Sequence, residues 1–161
     1  MTTLILSQLA LRDFEHAMYK AFWRDLLSWL TRKCNHLLSL DQICHCLPFA
    51  RQRYLGLQLV SLDKIVGSAG RYHDFDRAFF PRHPHLKDRW MSINKAHYKQ
   101  LALPPVELVK IGEVYFVSDG NHRISVARAR GQDFIDASVS EIDTPISVEL
   151  SKKCQSNCSG L

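Results

Sequence analysis

The sequence lacks a long uncharged apolar run. Its most apolar stretch, Phe22 to Leu30, is interrupted by Arg24 and Asp25, whereas a membrane-spanning helix needs about 20 predominantly apolar residues. The N-terminal apolar stretch has no basic residue before it and no small-residue cleavage pattern after it, so we expect no signal peptide. These absences predict a soluble protein without a membrane partner.

An even set of cysteines is also missing. The chain has five cysteines, and an odd count argues against a fully paired disulfide framework and favours the reducing cytoplasm. Neither Cys44-His45-Cys46 nor the pair Cys154 and Cys158 has the Cys-x-x-Cys spacing of common zinc sites. We therefore expect ordinary thiols, no metal site and a cytoplasmic localisation.

Basic residues are scattered along the chain, without a run of five or six. They exceed the acidic residues only mildly, 21 Lys and Arg against 16 Asp and Glu, which leaves a net charge of +5. A positive chain favours anionic partners such as nucleotides or nucleic acid. Basic residues distributed in this way fit an ordinary soluble surface about as well as a DNA-binding surface. Both interpretations therefore remain open.

The length of 161 residues and the hydrophobic content of 46% fit a single domain. Within it we expect residues 1–50 to form a helical extension packed on the core, and residues 51–150 to form the main α/β unit. The polar end of the chain, residues 151–161, is expected to be a disordered tail.

Apolar residues between Ser7 and Leu38 recur at the spacing of a long amphipathic helix. The stripe consists of Leu11, Phe14, Met18, Phe22, Leu26, Trp29 and Leu30. We expect it to dock on the sheet of its own domain, and docking on a second subunit in a homodimer is the alternative.

Ser39 followed by Gln42 is typical of a capping box and predicts a second short helix. Further along the chain, alternating and helical patterns predict four strands and two helices. The strands are expected at 57–62, 106–109, 114–117 and 134–141, and the helices at 85–100 and 121–130. The expected fold class is α+β, a small mixed sheet with helices, preceded by the long N-terminal helix.

The turn from the strand at 114–117 into the next helix carries the clearest functional signal. A helix that begins directly after a strand offers free N–H groups and a positive dipole end to an anion. Gly120 lets the backbone bend and a ligand approach closely, while His122 and Arg123 oppose the helix dipole unless an anion is bound. The alternative is structural: Asp119 caps the helix, Gly120 turns, and Arg123 makes a surface ion pair.

The run from Val114 to Ala127 resembles the phosphate-binding signature of the ParB/sulfiredoxin superfamily. In the N-terminal domain of ParB, the equivalent strand, turn and helix carry a Gly-Glu-Arg-Arg signature that grips the triphosphate of CTP. The resemblance covers roughly residues 57–142, because 60–65 and 134–141 are also similar to ParB-like strands. It implies a ParB/sulfiredoxin-like fold with phosphate contacts from Gly120, Asn121, His122 and Arg123.

Departures from the named members of that superfamily narrow the expected activity. Sulfiredoxins carry Gly-Cys-His-Arg with a nucleophilic cysteine, which is Asn121 here, so sulfinic acid reduction is not expected. Free-serine kinases show Asp-Gly-His-x-Arg, which is matched by Asp119, Gly120 and Arg123, whereas Asn121 replaces the histidine. No helix-turn-helix segment follows the motif, which argues against operator-style DNA reading.

The loop from Arg71 to Arg82 supplies further candidates. Asp74 and Asp76 could act as a general base or a Mg²⁺ ligand, and Arg71 and Arg77 are expected at the nucleotide because the resemblance places a basic loop near the site. The alternative is a loop tethered to the core by its aromatic residues. The expected catalytic residues are therefore Asp119, Asp74 and Asp76.

These observations lead to one functional hypothesis and two alternatives. The hypothesis is a ParB-like module that binds a nucleoside triphosphate, CTP or ATP, with Mg²⁺, hydrolyses it slowly and has a DNA-linked regulatory role. One alternative is a small-molecule kinase that uses ATP or ADP, as the free-serine kinases do. The other is a nuclease, for which the sequence offers no clustered carboxylate metal site.

Overall fold

The computed structural model describes residues 2–32, 34–44 and 51–143. These residues form four α-helices: α1 (Thr2–Thr31), α2 (Leu40–Cys44), α3 (Lys87–Tyr98) and α4 (Asn121–Ala129). Their strands are β1 (Leu38–Ser39), β2 (Arg51–Ser61), β3 (Ile65–Ser68), β4 (Val106–Ile111), β5 (Val114–Asp119) and β6 (Phe134–Asp143). Short 3₁₀ turns at Leu62–Lys64 and Pro84–Leu86 precede β3 and α3.

The six strands form one mixed sheet in the order β1-β3-β5-β4-β6-β2. β3 runs parallel to β5 and β4 runs parallel to β6, while the β4–β5 hairpin and the β2–β6 pair are antiparallel. Gly112, with a φ of +60°, lies in the two-residue turn that joins β4 to β5, where a positive φ matches the twist of a hairpin. The α+β class expected from the sequence is confirmed.

The main core lies between the sheet and the helices α3 and α4. Trp90 of α3 and Ile124 of α4 are fully buried there together with Val117 of β5. The Trp90 indole donates from Nε1 to Oγ of the buried Ser125 at 2.9 Å, so its polar atom is satisfied inside the core. A smaller cluster on the sheet, around Phe116 and Ile111, packs with Leu40 of α2.

α1 packs on α3 through a face that overlaps the predicted stripe only in part. Its buried side is formed by Ala10, Phe14, Ala17 and Ala21, which recur at helical spacing, and the Phe14 ring lies edge-on to Trp90 at 5.6 Å. The expectation that Phe22, Trp29 and Leu30 dock on the domain's own sheet was wrong, because these side chains are exposed. The small alanines allow close approach of two helices, and a pattern read from large side chains overlooks them.

Two short strands were not predicted, and a third is longer than expected. The predicted strand at 57–62 is the second half of β2, which begins at Arg51. β1 and β3 have only two and four residues, too few to show a period. In β3, a Cβ on Gly67 would lie 2.4 Å from the carbonyl oxygen of Leu38, so glycine here permits close approach of two backbones.

One cysteine differs from its expected state. Cys34 is disulfide-bonded, so the expectation of ordinary thiols was wrong for this residue. Disulfide pairing depends on how close two cysteines lie in the folded chain, and their spacing in the sequence does not show that. The predicted tail at 151–161 lies outside the described residues. Within the described ranges, no helix is both long and apolar enough to cross a membrane.

Candidate functional site

The parallel pairing of β3 with β5 positions the candidate site. The carboxyl ends of neighbouring parallel strands lie at the same edge of a sheet, where open α/β sheets commonly bind their ligands. The chain leaves β3 into the loop of Arg71, and it leaves β5 into Gly120 and α4. Ser68, buried at the end of β3, donates from Oγ to the Val117 carbonyl at 3.3 Å and accepts the Arg71 amide at 3.4 Å. These bonds fix the loop beside β5.

Gly120 is the N-cap of α4 and has a φ of +105°. This left-handed conformation agrees with the sharp turn expected from the sequence, and the Gly120 carbonyl accepts the first helical bond from Ile124 at 3.0 Å. A Cβ at this position would lie only 2.6 Å from Cγ1 of Val106 in β4. A Cβ would also lie 3.1 Å from Nη2 of Arg123. Glycine is therefore required by the backbone and by the packing of the turn on β4.

A cleft of about 460 Å³ opens at the N-terminus of α4. This volume lies in the range of small-molecule sites, roughly 300–1,000 Å³. Its charged and imidazole side chains come from the loop after β3, the start of α3 and the first turn of α4. They are Arg71, His85, Arg89, Asp119, His122 and Arg123. Three guanidinium groups thus face a single carboxylate, and the cleft is positive.

The first turn of α4 brings unsatisfied polar atoms to this cleft. Asn121 is 7% exposed, and among the described residues its Oδ1 has no hydrogen-bond partner. Nδ1 of His122 is likewise buried and unpartnered within the described part of the chain. Buried polar atoms without a partner cost about 1–3 kcal/mol each. Both atoms lie in the first turn of α4, beside the cleft.

The pKa of His122 reports the electrostatic field of the cleft. Burial, followed by the positive charges of Arg71 and Arg89, lowers the pKa of His122 to about 4, although Asp74 acts in the opposite direction. The imidazole is therefore neutral near neutral pH. Its ring meets Phe75 edge-on at 5.4 Å, which fixes its orientation. An anion between the arginines would neutralise the field that disfavours the imidazolium.

The guanidinium group of Arg123, which the motif assigns to phosphate binding, is already engaged within the protein. Its Nη1 donates to the carbonyls of Pro104 and Pro105 at 2.5 and 2.7 Å, and its Nη2 donates to Oδ2 of Asp119 at 2.6 Å. The side chain is 13% exposed. Arg123 lines the cleft, but its terminal nitrogens hold the segment before β4 against α4.

Two of the three carboxylates predicted as catalytic, Asp119 and Asp74, each face an arginine. Asp119 has a side chain that is 70% exposed and pairs with Arg123. Asp74 accepts from Nη1 of Arg71 at 3.2 Å, and its other oxygen lies 3.7 Å from Nε2 of His85. Asp74 therefore positions Arg71 at the edge of the cleft.

Asp76 and Arg77 do not line the cleft. The carboxylate of Asp76 is fully buried and accepts from Nε of Arg24 at 2.8 Å and from the amides of Ala78 and Phe80 at 2.9 and 2.8 Å. It closes a loop and anchors α1. Arg77 is exposed, and its backbone amide donates to the Asn35 carbonyl at 3.2 Å. The structure therefore brings Asp119, Asp74 and Arg71 to the α4 turn but places Asp76 and Arg77 elsewhere.

Sequence reasoning missed the contribution of α3. His85 and Arg89 were not among the predicted site residues, yet both line the cleft with Ile93. Arg89 and Ile93 are four residues apart in α3 and share one helical face, and this spacing was the available signal. His85 lies in the 3₁₀ turn just before α3. Within the described residues Arg89 makes no ion pair, which distinguishes it from Arg71 and Arg123.

The carboxylates and histidines do not form a ready metal site in the described ranges. No group of three or more His, Cys, Asp or Glu is arranged there to hold a metal ion. Mg²⁺ bound together with a nucleotide takes much of its coordination from phosphate oxygens and water. Asp74 and Asp119 are the carboxylates of this neighbourhood that could complete such a shell.

Comparison with known proteins gives one fold-level likeness. No family model matches the chain, and no curated protein matches it. A crystal structure of sulfiredoxin from Arabidopsis thaliana matches with a TM-score of 0.38 and 14% identity, over 52% of this chain and 82% of that one. The likeness is one of fold alone.

Proposed function

We propose that this chain binds the phosphate groups of a nucleoside triphosphate in the cleft at the N-terminus of α4. The observation that carries the proposal is the unbalanced charge of the cleft. Arg71 and Arg89 converge on the first turn of a nine-residue helix. Arg71 is paired with Asp74 and Arg123 with Asp119, so the positive charge of Arg89 is the one that no carboxylate of the described residues balances. Such an arrangement is stabilised by a bound anion with several negative oxygens.

The roles of the residues follow from their positions. The amides of Asn121, His122 and Arg123 lie in the first turn, where helical N–H groups have no partner inside the helix. Arg89, which makes no ion pair among the described residues, supplies the free cation. Arg71 is held by Asp74 and closes the other side.

Binding is favoured over base catalysis by the state of the carboxylates. A kinase needs a general base beside the accepting hydroxyl, whereas Asp119 and Asp74 each face a guanidinium. We therefore assign the chain a binding role, with hydrolysis as a slow side reaction and CTP or ATP with Mg²⁺ as the ligand class. A DNA-linked role rests on the net charge of +5 and on the resemblance of the turn to ParB.

The test is a calorimetric titration of the full chain with CTP, ATP and ADP in the presence of Mg²⁺. Arg89→Ala removes the free cation and should weaken nucleotide binding by about tenfold or more, the value of one charged hydrogen bond. Arg12→Ala is the matched control, since Arg12 is an exposed arginine of α1 outside the cleft. Equal losses for both variants, or no nucleotide binding by the parent, would refute the proposal. Phosphate release in the same samples measures hydrolysis.

A further inference from the structure

The outward face of the second half of α1 is a continuous apolar patch. We call it the aromatic face and define it by Tyr19, Phe22, Trp23, Leu27, Trp29 and Leu30, whose exposed fractions range from 44% to 76%. The ring of Trp23 packs edge-on against Tyr19 at 5.8 Å and Phe22 at 6.0 Å. The patch is therefore preformed, and soluble monomers rarely leave so much contiguous apolar surface in water.

α1 holds the aromatic face rigidly because its opposite side is fastened to the domain. Ala17 and Ala21 are buried, Arg24 pairs with the buried Asp76 at 2.8 Å, and Asp25 accepts from Nη2 of Arg82 at 2.5 Å. Arg24 and Asp25 are thus engaged on the domain side, and Nζ of Lys20 lies 5.6 Å from the centre of the Phe80 ring. A rigid face loses little conformational entropy when a partner covers it.

We infer that the aromatic face is the interface between two copies of this chain, joined as an α1-to-α1 pair. Tyr19, Trp23, Leu26 and Leu30 follow one another at spacings of four, three and four residues, the alternation of a helix that packs against another helix. An identical helix presents the same stripe, and a two-fold pair of identical surfaces is the commonest association of soluble proteins.

The size and charge of the aromatic face fit a second copy of this chain. Four partly exposed aromatic side chains alone offer about 500 Å², and the leucines bring the patch towards the roughly 800 Å² per partner of a standard interface. Arg24 and Asp25 point away to Asp76 and Arg82, so two copies can meet without burying an unpaired charge. A lipid surface fits less well, because Glu15 is exposed on the same face two turns earlier.

The test is sedimentation equilibrium of the full chain up to about 100 µM, above the micromolar limit for weak interfaces of this size. The parent should be a dimer. Trp29→Glu and, separately, Leu30→Glu should be monomers with unchanged far-UV spectra, because both side chains are exposed. Leu57→Glu, an equally exposed apolar residue on β2, is the matched control and should remain a dimer.

Three outcomes overturn the inference. The first is a monomeric parent at the highest concentration, and vesicles containing phosphatidylserine would then show whether lipid covers the face. The second is dimerisation that survives both glutamate variants of α1. The third is dissociation by Leu57→Glu alone, which would move the interface to the edge of the sheet. None of them bears on nucleotide binding, which is measured separately.

Discussion

Arg123 and Asp119 form an ion pair across the first turn of α4, with Nη2 and Oδ2 2.6 Å apart. The same guanidinium reaches back to the carbonyls of Pro104 and Pro105. One side chain therefore connects the end of β5, the start of α4 and the segment that leads into β4. A residue that the motif assigns to phosphate also has a structural task, and mutation can separate the two.

We expect Arg123→Ala to lower the free energy of unfolding by about 2–4 kcal/mol, because it leaves two carbonyls without a charged donor. Asp119→Ala should cost at most about 1 kcal/mol, since it breaks only an exposed ion pair. Urea denaturation of both variants measures the difference. Equal stability of Arg123→Ala and the parent would show that the carbonyl contacts are unimportant.

Gly120→Ala should destabilise the protein more than Gly131→Ala. Both glycines have a positive φ, +105° and +72°, so alanine at either position costs about 1–2 kcal/mol of backbone strain. At Gly120 the new Cβ also meets Val106 at 2.6 Å, whereas nothing lies within 4 Å at Gly131. The clash should add about 1–3 kcal/mol. Identical midpoints of thermal unfolding for the two variants would contradict this assignment.

Acid should weaken the fold through His122. Its pKa in the folded chain is about 4, below the ordinary 6.5, so between these values the unfolded chain binds more protons than the folded chain. Stability is then complete above pH 6.5 and is lost as the pH falls towards 4. His36 and His97, whose pKa values are also lowered by burial, act in the same direction.

The contribution of His122 is isolated by comparison with His122→Gln. The unfolding free energy of the variant should fall less steeply than that of the parent between pH 6.5 and 4. Sulfate, an anion that does not titrate in this window, should raise the pKa of His122 in the parent by neutralising Arg71 and Arg89. An NMR titration of the imidazole with and without sulfate measures this, and an unchanged pKa would mean that no anion binds beside His122.

Asp76→Asn should be among the most destabilising conservative substitutions in the chain. Its buried carboxylate accepts from Arg24 and from two backbone amides. The amide group of asparagine places an NH2 donor against one of these donors, at a cost of about 1–3 kcal/mol. Asp74→Asn is the control, because that carboxylate is partly exposed. If the two variants unfold at the same denaturant concentration, Asp76 has no anchoring role.

Local patterns in the sequence predicted where the turn lies, but they did not predict what its side chains contact. The hairpin at 106–117, the glycine turn and α4 were all predictable, because turn residues and side-chain period are properties of short segments. The catalytic interpretation of Asp76 relied on proximity in sequence to Asp74. Their backbones are close, yet Asp74 faces Arg71 and the cleft while Asp76 points to α1.

By itself the sequence determined the α+β class, the strand-to-helix turn at Gly120 and the amphipathic character of α1, since each depends on residues within a few turns of one another. Only the tertiary structure decided which side of α1 is buried, because Ala10, Ala17 and Ala21 are buried there while larger apolar side chains such as Trp29 are exposed. It also decided that Arg89 joins the cleft and that Arg123 binds Pro104 and Pro105. Those contacts join residues 18 to 34 positions apart, and their geometry is set by how β5, α3 and α4 pack, which no local pattern encodes.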